Sequence, residues 1–161
     1  MRSRIRRALS LGIPSLLASL LLIGAGAPAT MADTAAGNAA VAWAQAQEGS
    51  TAWDGECLQF VADAYTQAGV NLASMAADDS SAVSFWNTYS GTEYPPTEDP
   101  PAGALVFWGA TSTNPYGHVA ISEGSTSAIS SEERDNAGVH EFSIPDRDSQ
   151  GYQQLGYIVP G

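Results

Sequence analysis

Ser90 to Gly103 carries four prolines, Pro95, Pro96, Pro100 and Pro101, and the chain follows different rules on either side of it. A stretch so rich in a residue that fixes φ and lacks an N–H forms a stiff, extended loop rather than an element. Before it, apolar residues recur at helical spacing. After it come short β-branched or aromatic runs bounded by Gly, Asp or Ser. Helices first and strands second predict an α+β domain, with N-terminal helices packed on one face of a C-terminal antiparallel sheet of about five strands.

The first predicted helix is the alanine-rich run Asn38 to Glu48, capped by Asn38 and ended by Gly49. The second lies within Trp53 to Gly69, opening near Asp54 or Gly55. Its apolar face is Leu58, Val61, Tyr65 and Ala68, widened by Phe60 and Ala64, and Gly69 stops it. Asn71 to Asp79 is connecting structure. Ser80 to Tyr89 predicts a third short helix that turns Val83, Trp86 and Phe85 toward the core. The predicted strands are Ala104–Trp108, His118–Glu123, Ser127–Ser131, Gly138–Ile144 and Leu155–Val159. There is no internal repeat and no sign of a second domain.

The first residues read as an export signal. Arg2, Arg4, Arg6 and Arg7 form a positive region, an apolar run from about Leu9 to Ala27 follows, and small residues around Ala29 and Ala32 offer cleavage sites. Cleavage after Ala32 is favoured over Ala29. The Arg6-Arg7 pair also fits a twin-arginine route, although the leucine-rich run suits the general secretory route better. An uncleaved membrane anchor is the competing reading, opposed by Pro14 and the glycines that break the apolar run. Residues 33–161 then form one domain, since about 129 residues support one core and not two.

Removing residues 1–32 leaves Arg134 and Arg147 against seventeen carboxylates, a net charge of −15. Such a surface repels nucleic acid and anionic lipid, and it does not cling to an anionic wall by charge alone. No nucleic acid and no membrane after signal cleavage are therefore expected as partners. The expectation is a secreted, extracellular or cell-wall-associated monomer. Solubility alone also accounts for the charge. Metal-ligand spacing is absent, with no paired cysteines and no H-x-x-x-H, so neither metal nor other cofactor is expected.

The single cysteine, Cys57, excludes an intramolecular disulfide. It falls in the first turn of the second predicted helix, where free N–H groups and the helix dipole favour a thiolate. An unpaired cysteine in an oxidising compartment is a candidate reactive thiol, and a small buried hydrophobe is the alternative. Of the two histidines, His118 opens a strand directly after Tyr116-Gly117 and can project from the end of the sheet. His140 shares a strand face with Phe142 and Ile144 and is read as structural. Cysteine and histidine within hydrogen-bond reach supply a nucleophile and a base that later protonates a leaving amine.

The words around these residues carry more than the pair does. G-E-C-L-Q-F-V-A-D-A-Y-T-Q-A-G-V resembles the nucleophile helix of secreted NlpC-type and CHAP-type cell-wall hydrolases. P-P-A-G-A-L-V-F-W is similar to their P-x-G-x-L-V-F strand, and Y-G-H-V-A-I-S-E-G to their G-H-V-x-I strand. Order and spacing match from about Asn38 to Ser131, and L-G-Y-I-V-P resembles the closing strand of actinobacterial members. The resemblance implies a papain-like fold and a secreted cysteine peptidase or amidase acting on peptidoglycan. The bond cut is either in the stem peptide or between N-acetylmuramic acid and L-alanine.

By position, the resemblance makes Cys57 the nucleophile, with its backbone N–H in the oxyanion hole, and His118 the base and acid. The chain departs from D-C-S-G, having Glu56-Cys57-Leu58-Gln59 instead. The third polar residue is expected about a dozen positions after the histidine. Ser130 stands there with Glu132 close by, and Glu132 is preferred as the better ring orienter. Trp53 and Tyr116, beside the nucleophile and base, are the expected substrate-binding groove walls, while Trp43, Trp86 and Trp108 are assigned to the core. A catalytically weak or inactive binding module on the same fold is the alternative function. Acyl transfer to another substrate is a third.

Overall fold

The computed structural model describes residues 34–132 and 137–161. The expected export signal and Arg134 lie outside these residues. The chain forms helices α1 (Ala35–Gln45), α2 (Cys57–Gln67) and α3 (Ala82–Thr88), with a short 3-10 turn at Leu72–Ser74. Strands β1 (Leu105–Trp108), β2 (His118–Gly124), β3 (Ser127–Glu132) and β4 (Gly138–Ser143) follow. A fourth helix, α4 (Ile144–Ser149), precedes β5 (Gln154–Ile158). The strands make one antiparallel sheet in the order β4-β3-β2-β1-β5.

Alternation along the strands divides the apolar residues between two layers. Leu105, Phe107, Val119, Ile121, Ile129, Val139 and Ile158 face the helices and pack with Ala40, Ala44, Phe60, Val61, Ala64, Tyr65 and Phe85. Val106, Trp108, Ala120, Ala128 and Tyr157 point the other way and are covered by Ile144 of α4 and by Tyr94, Phe142 and Tyr152. The helices-on-sheet α+β architecture expected from the texture change is the observed one, with all five strands present.

Boundaries differ in instructive places. Helix α1 starts three residues earlier than expected because Thr34, not Asn38, is its cap; the Thr34 Oγ1 accepts from the Gly37 N–H at 2.8 Å. Gly37 is thereby inside the helix, where a Cβ would lie 3.0 Å from Gly103 Cα, so the helix presses on the turn that feeds β1. Ser81 caps α3 through the Ser84 N–H at 3.0 Å. Of its expected core residues, Phe85 is fully buried while Val83 and Trp86 are only half-buried. Helix α4 replaces what read as the end of a strand at Ile144.

Candidate active site

Cys57 is the first residue of α2. The cap residue, Glu56, sits at φ −116° and ψ 51° and makes no side-chain capping bond, so the helix start keeps its partial positive charge for another acceptor. Burial pushes the Cys57 thiol up. The charge of His118, a hydrogen bond to His118, and backbone hydrogen bonds at Val119 and Leu58 oppose it and prevail, holding the thiol below its ordinary value of 9.0.

His118 is delivered by a turn that only glycine can make. Gly117 has φ +70°, and a Cβ there would lie 2.5 Å from both the Trp108 carbonyl oxygen and Val83 Cγ2. Asn114 braces the same turn, donating from Nδ2 to the Gly117 carbonyl at 3.0 Å and accepting from the Tyr116 N–H at 3.0 Å. The imidazole is 5% exposed. Its ring centre lies 5.8 Å from that of Trp108 and 6.1 Å from that of Phe142.

Of the two expected third residues, Glu132 is the one beside the ring. Its Oε1 is 3.3 Å from His118 Nε2, which leaves Nδ1 for Cys57. Ser130 is turned away, its hydroxyl donating to the Val119 carbonyl at 2.7 Å. The Ile121–Ile129 pairing explains the choice: the same register, run on toward the sheet end, sets Glu132 opposite His118.

Arg147 completes the cluster. Its guanidinium donates to Glu132 Oε1 and lies 3.2 Å from His118 Nε2. Sequence reasoning missed it because α4 was not foreseen. The signal was nonetheless present, as Ser143 stands at the cap of α4, Pro145 at its start and Asp146 in its first turn. Burial pushes the Arg147 guanidinium below its ordinary value, and Tyr152 and Cys57 oppose that shift.

These side chains open on one cavity of about 610 Å³. Leu72, Ala82 and Phe85 line one wall, and Tyr116 and Tyr152 border it as well. Tyr116 is 68% exposed, as a groove wall requires. Trp53 is not among the residues that line this cavity. Its ring meets Trp43 at 5.4 Å and Phe60 at 5.6 Å, and its Nε1 donates to Asp63 Oδ2 at 2.8 Å. The indole is thus turned inward. Trp53 bears on the site through its backbone, whose carbonyl accepts from the Ser131 hydroxyl and ties the approach to α2 onto β3. His140 stands apart, with Nε2 3.1 Å from the Ala137 carbonyl oxygen.

A family model described as the CHAP domain matches residues 45–133, more than half of the chain and the whole segment from α2 through β3. No curated protein sequence matches. Among solved structures, "The crystal structure of Ly7917 with the hydrolyzing product of MDP" is similar at 27% identity and a TM-score of 0.53, over 77% of this chain and 62% of that one. A second, "The crystal structure of Ly7917", is similar at 29% identity and a TM-score of 0.49, with the same coverage. The chain therefore spans less than two thirds of the Ly7917 chain.

Proposed function

The chain belongs to the CHAP domain family, and from that premise we propose that it is a secreted cysteine hydrolase that cleaves amide bonds of peptidoglycan. The observation that carries this reading is the convergence of Cys57, His118 and Glu132 on one open cavity, with the thiol held below its ordinary value. The Ly7917 structure, which contains the hydrolyzing product of MDP, supports peptidoglycan fragments as the substrate class. Residues 1–32 direct export and residues 33–161 are the single catalytic domain, acting as a monomer outside the cell or at its wall.

In the proposed reaction the Cys57 thiolate attacks the carbonyl carbon of the scissile amide. The Cys57 backbone N–H, at the start of α2, donates to the oxygen that becomes negative. His118 passes a proton to the leaving amine as the C–N bond breaks, leaving a thioester on Cys57. It then takes a proton from the water that attacks that thioester, and the carboxylic acid product leaves with the thiolate restored. Glu132 orients the ring through Nε2, and Tyr116 forms the exposed wall against which substrate rests.

The bond is either within the stem peptide or at the sugar–peptide junction. The test is digestion of purified peptidoglycan by the protein, with released fragments identified by mass. Peptide-free muramic acid with a new L-alanine amino terminus marks the amidase, and new termini inside the stem mark the endopeptidase. Release of neither, by a folded protein, removes the proposal.

A further inference from the structure

Arg147 is the only lysine or arginine among the described residues, in a chain with seventeen carboxylates. An arginine on so acidic a molecule would ordinarily stand in water among those carboxylates. Instead it is 6% exposed. Its guanidinium carbon lies 4.7 Å from the Phe142 ring centre, 5.1 Å from that of Tyr152 and 6.0 Å from that of Trp108, so aromatic faces replace part of the lost hydration. Two bonds fix the helix that presents it. Trp108 Nε1 donates to Asp148 Oδ1 at 2.9 Å, and the Ile144 N–H donates to the Thr126 carbonyl at 2.8 Å.

We propose that Arg147 is a positioning residue that cancels the charge of Glu132, so that the carboxylate orients His118 without retaining the proton owed to the leaving amine. This rests on the thiol-hydrolase reading above. A guanidinium can only donate. Once the imidazole is protonated at both nitrogens, its Nε2–H, 3.3 Å from Glu132 Oε1, is a donor facing the same carboxylate. In that imidazolium state Arg147 and His118, 3.2 Å apart, are two donors facing one acceptor, Glu132 Oε1.

The groups that face His118 are Cys57 from α2, Glu132 from β3, Arg147 from α4 and Tyr152 from the segment before β5, with Trp108 and Phe142 as apolar neighbours. An unopposed carboxylate in this setting would bind the imidazolium proton tightly and repel the thiolate. Paired with Arg147 it behaves as a neutral acceptor, much as an amide would. The Nε2 proton then stays on the ring, facing Glu132, throughout. Only the Nδ1 proton moves, out to the amine and back from water.

The test compares the full chain with Arg147→Gln, Glu132→Gln and the double variant, following the rate of Cys57 alkylation by iodoacetamide against pH by intact mass, together with thermal unfolding. Arg147→Gln is expected to move the alkylation midpoint upward by about one pH unit, a tenfold change. Glu132→Gln moves it downward, and the double variant returns close to the wild type. A midpoint unmoved in Arg147→Gln while the unfolding temperature falls makes Arg147 a packing residue and overturns the proposal. So does a double variant further displaced than either single one. If Arg147→Gln does not fold, Arg147→Lys keeps the charge and must keep the wild-type midpoint; a displaced midpoint there counts against the proposal. Alkylation needs no substrate, so the result stands whether or not peptidoglycan is cut.

Discussion

Cys57 is held between two opposed influences, and removing one exposes the other. Without His118, burial acts on the thiol with its main opponent gone. His118→Ala should therefore move the alkylation midpoint of Cys57 from below 9.0 to above it, read by iodoacetamide labelling across pH. In the wild type, hydrolysis should rise with pH as Cys57 ionises, on the acid side of 9.0, read as the rate of fragment release across pH. The two expected third residues separate by the kind of damage they cause. Ser130→Ala should lower stability by about 1 kcal/mol, through the lost bond to the Val119 carbonyl, and leave the pH–rate profile in place. Glu132→Ala should lower the rate by about 100-fold with a changed profile. The resemblance narrowed this choice to two nearby residues, because it implies a polar group about a dozen positions after the histidine. It could not finish the choice, since strand register depends on how the hairpin closes. The direction of the Trp53 ring was not legible for a similar reason: a loop has no period from which to read a side chain's direction, and its pairing with Trp43 and Asp63 is tertiary.

At the scale of elements, the strands were legible because each is short, β-branched or aromatic and bracketed by turn residues, and α2 because its apolar stripe repeats at helical spacing. Helix α4 was hidden by V-H-E-F-S-I, whose β-type alternation continues into its first residue. The 3.6-residue period has no room to appear in the six residues of Ile144–Ser149. Arg147 was lost with it. The contact between α1 and the turn into β1 was equally invisible, because it depends on two glycines far apart in the chain. Gly103 has φ +82°, and a Cβ there would lie 2.2 Å from Gly37 Cα. Gly103→Ala should therefore destabilise the fold by about 3 kcal/mol, seen as a lowered denaturation midpoint. An unchanged midpoint would mean that α1 can move away from the sheet without loss. Asp148→Ala tests the clamp on α4. It should slow hydrolysis by freeing Arg147, with little change in overall stability beyond the lost Trp108 bond of about 1 kcal/mol.

At the scale of the whole molecule, one buried cation among the described residues stands at the proposed reaction centre, and the chain's seventeen carboxylates set a negative field around it. In the proposed form that lacks residues 1–32, that field would repel an anionic wall, so encounter with intact sacculi should quicken as salt screens it. Raising ionic strength from about 10 mM to about 150 mM, where the screening length shrinks toward 8 Å, is expected to increase the rate on intact sacculi several-fold. The rate on small uncharged muropeptides should hardly change. Equal salt responses would remove surface charge from the account. Beneath that field the central claim is simple: one thiolate, raised on the start of α2 and served by His118, cuts peptidoglycan. The measurement that meets it most directly is clearing of purified peptidoglycan by the protein beside a folded Cys57→Ala variant. The account predicts fragment release by the first and none by the second. Equal release by both, or none by a wild type whose Cys57 also resists alkylation at neutral pH, would contradict it.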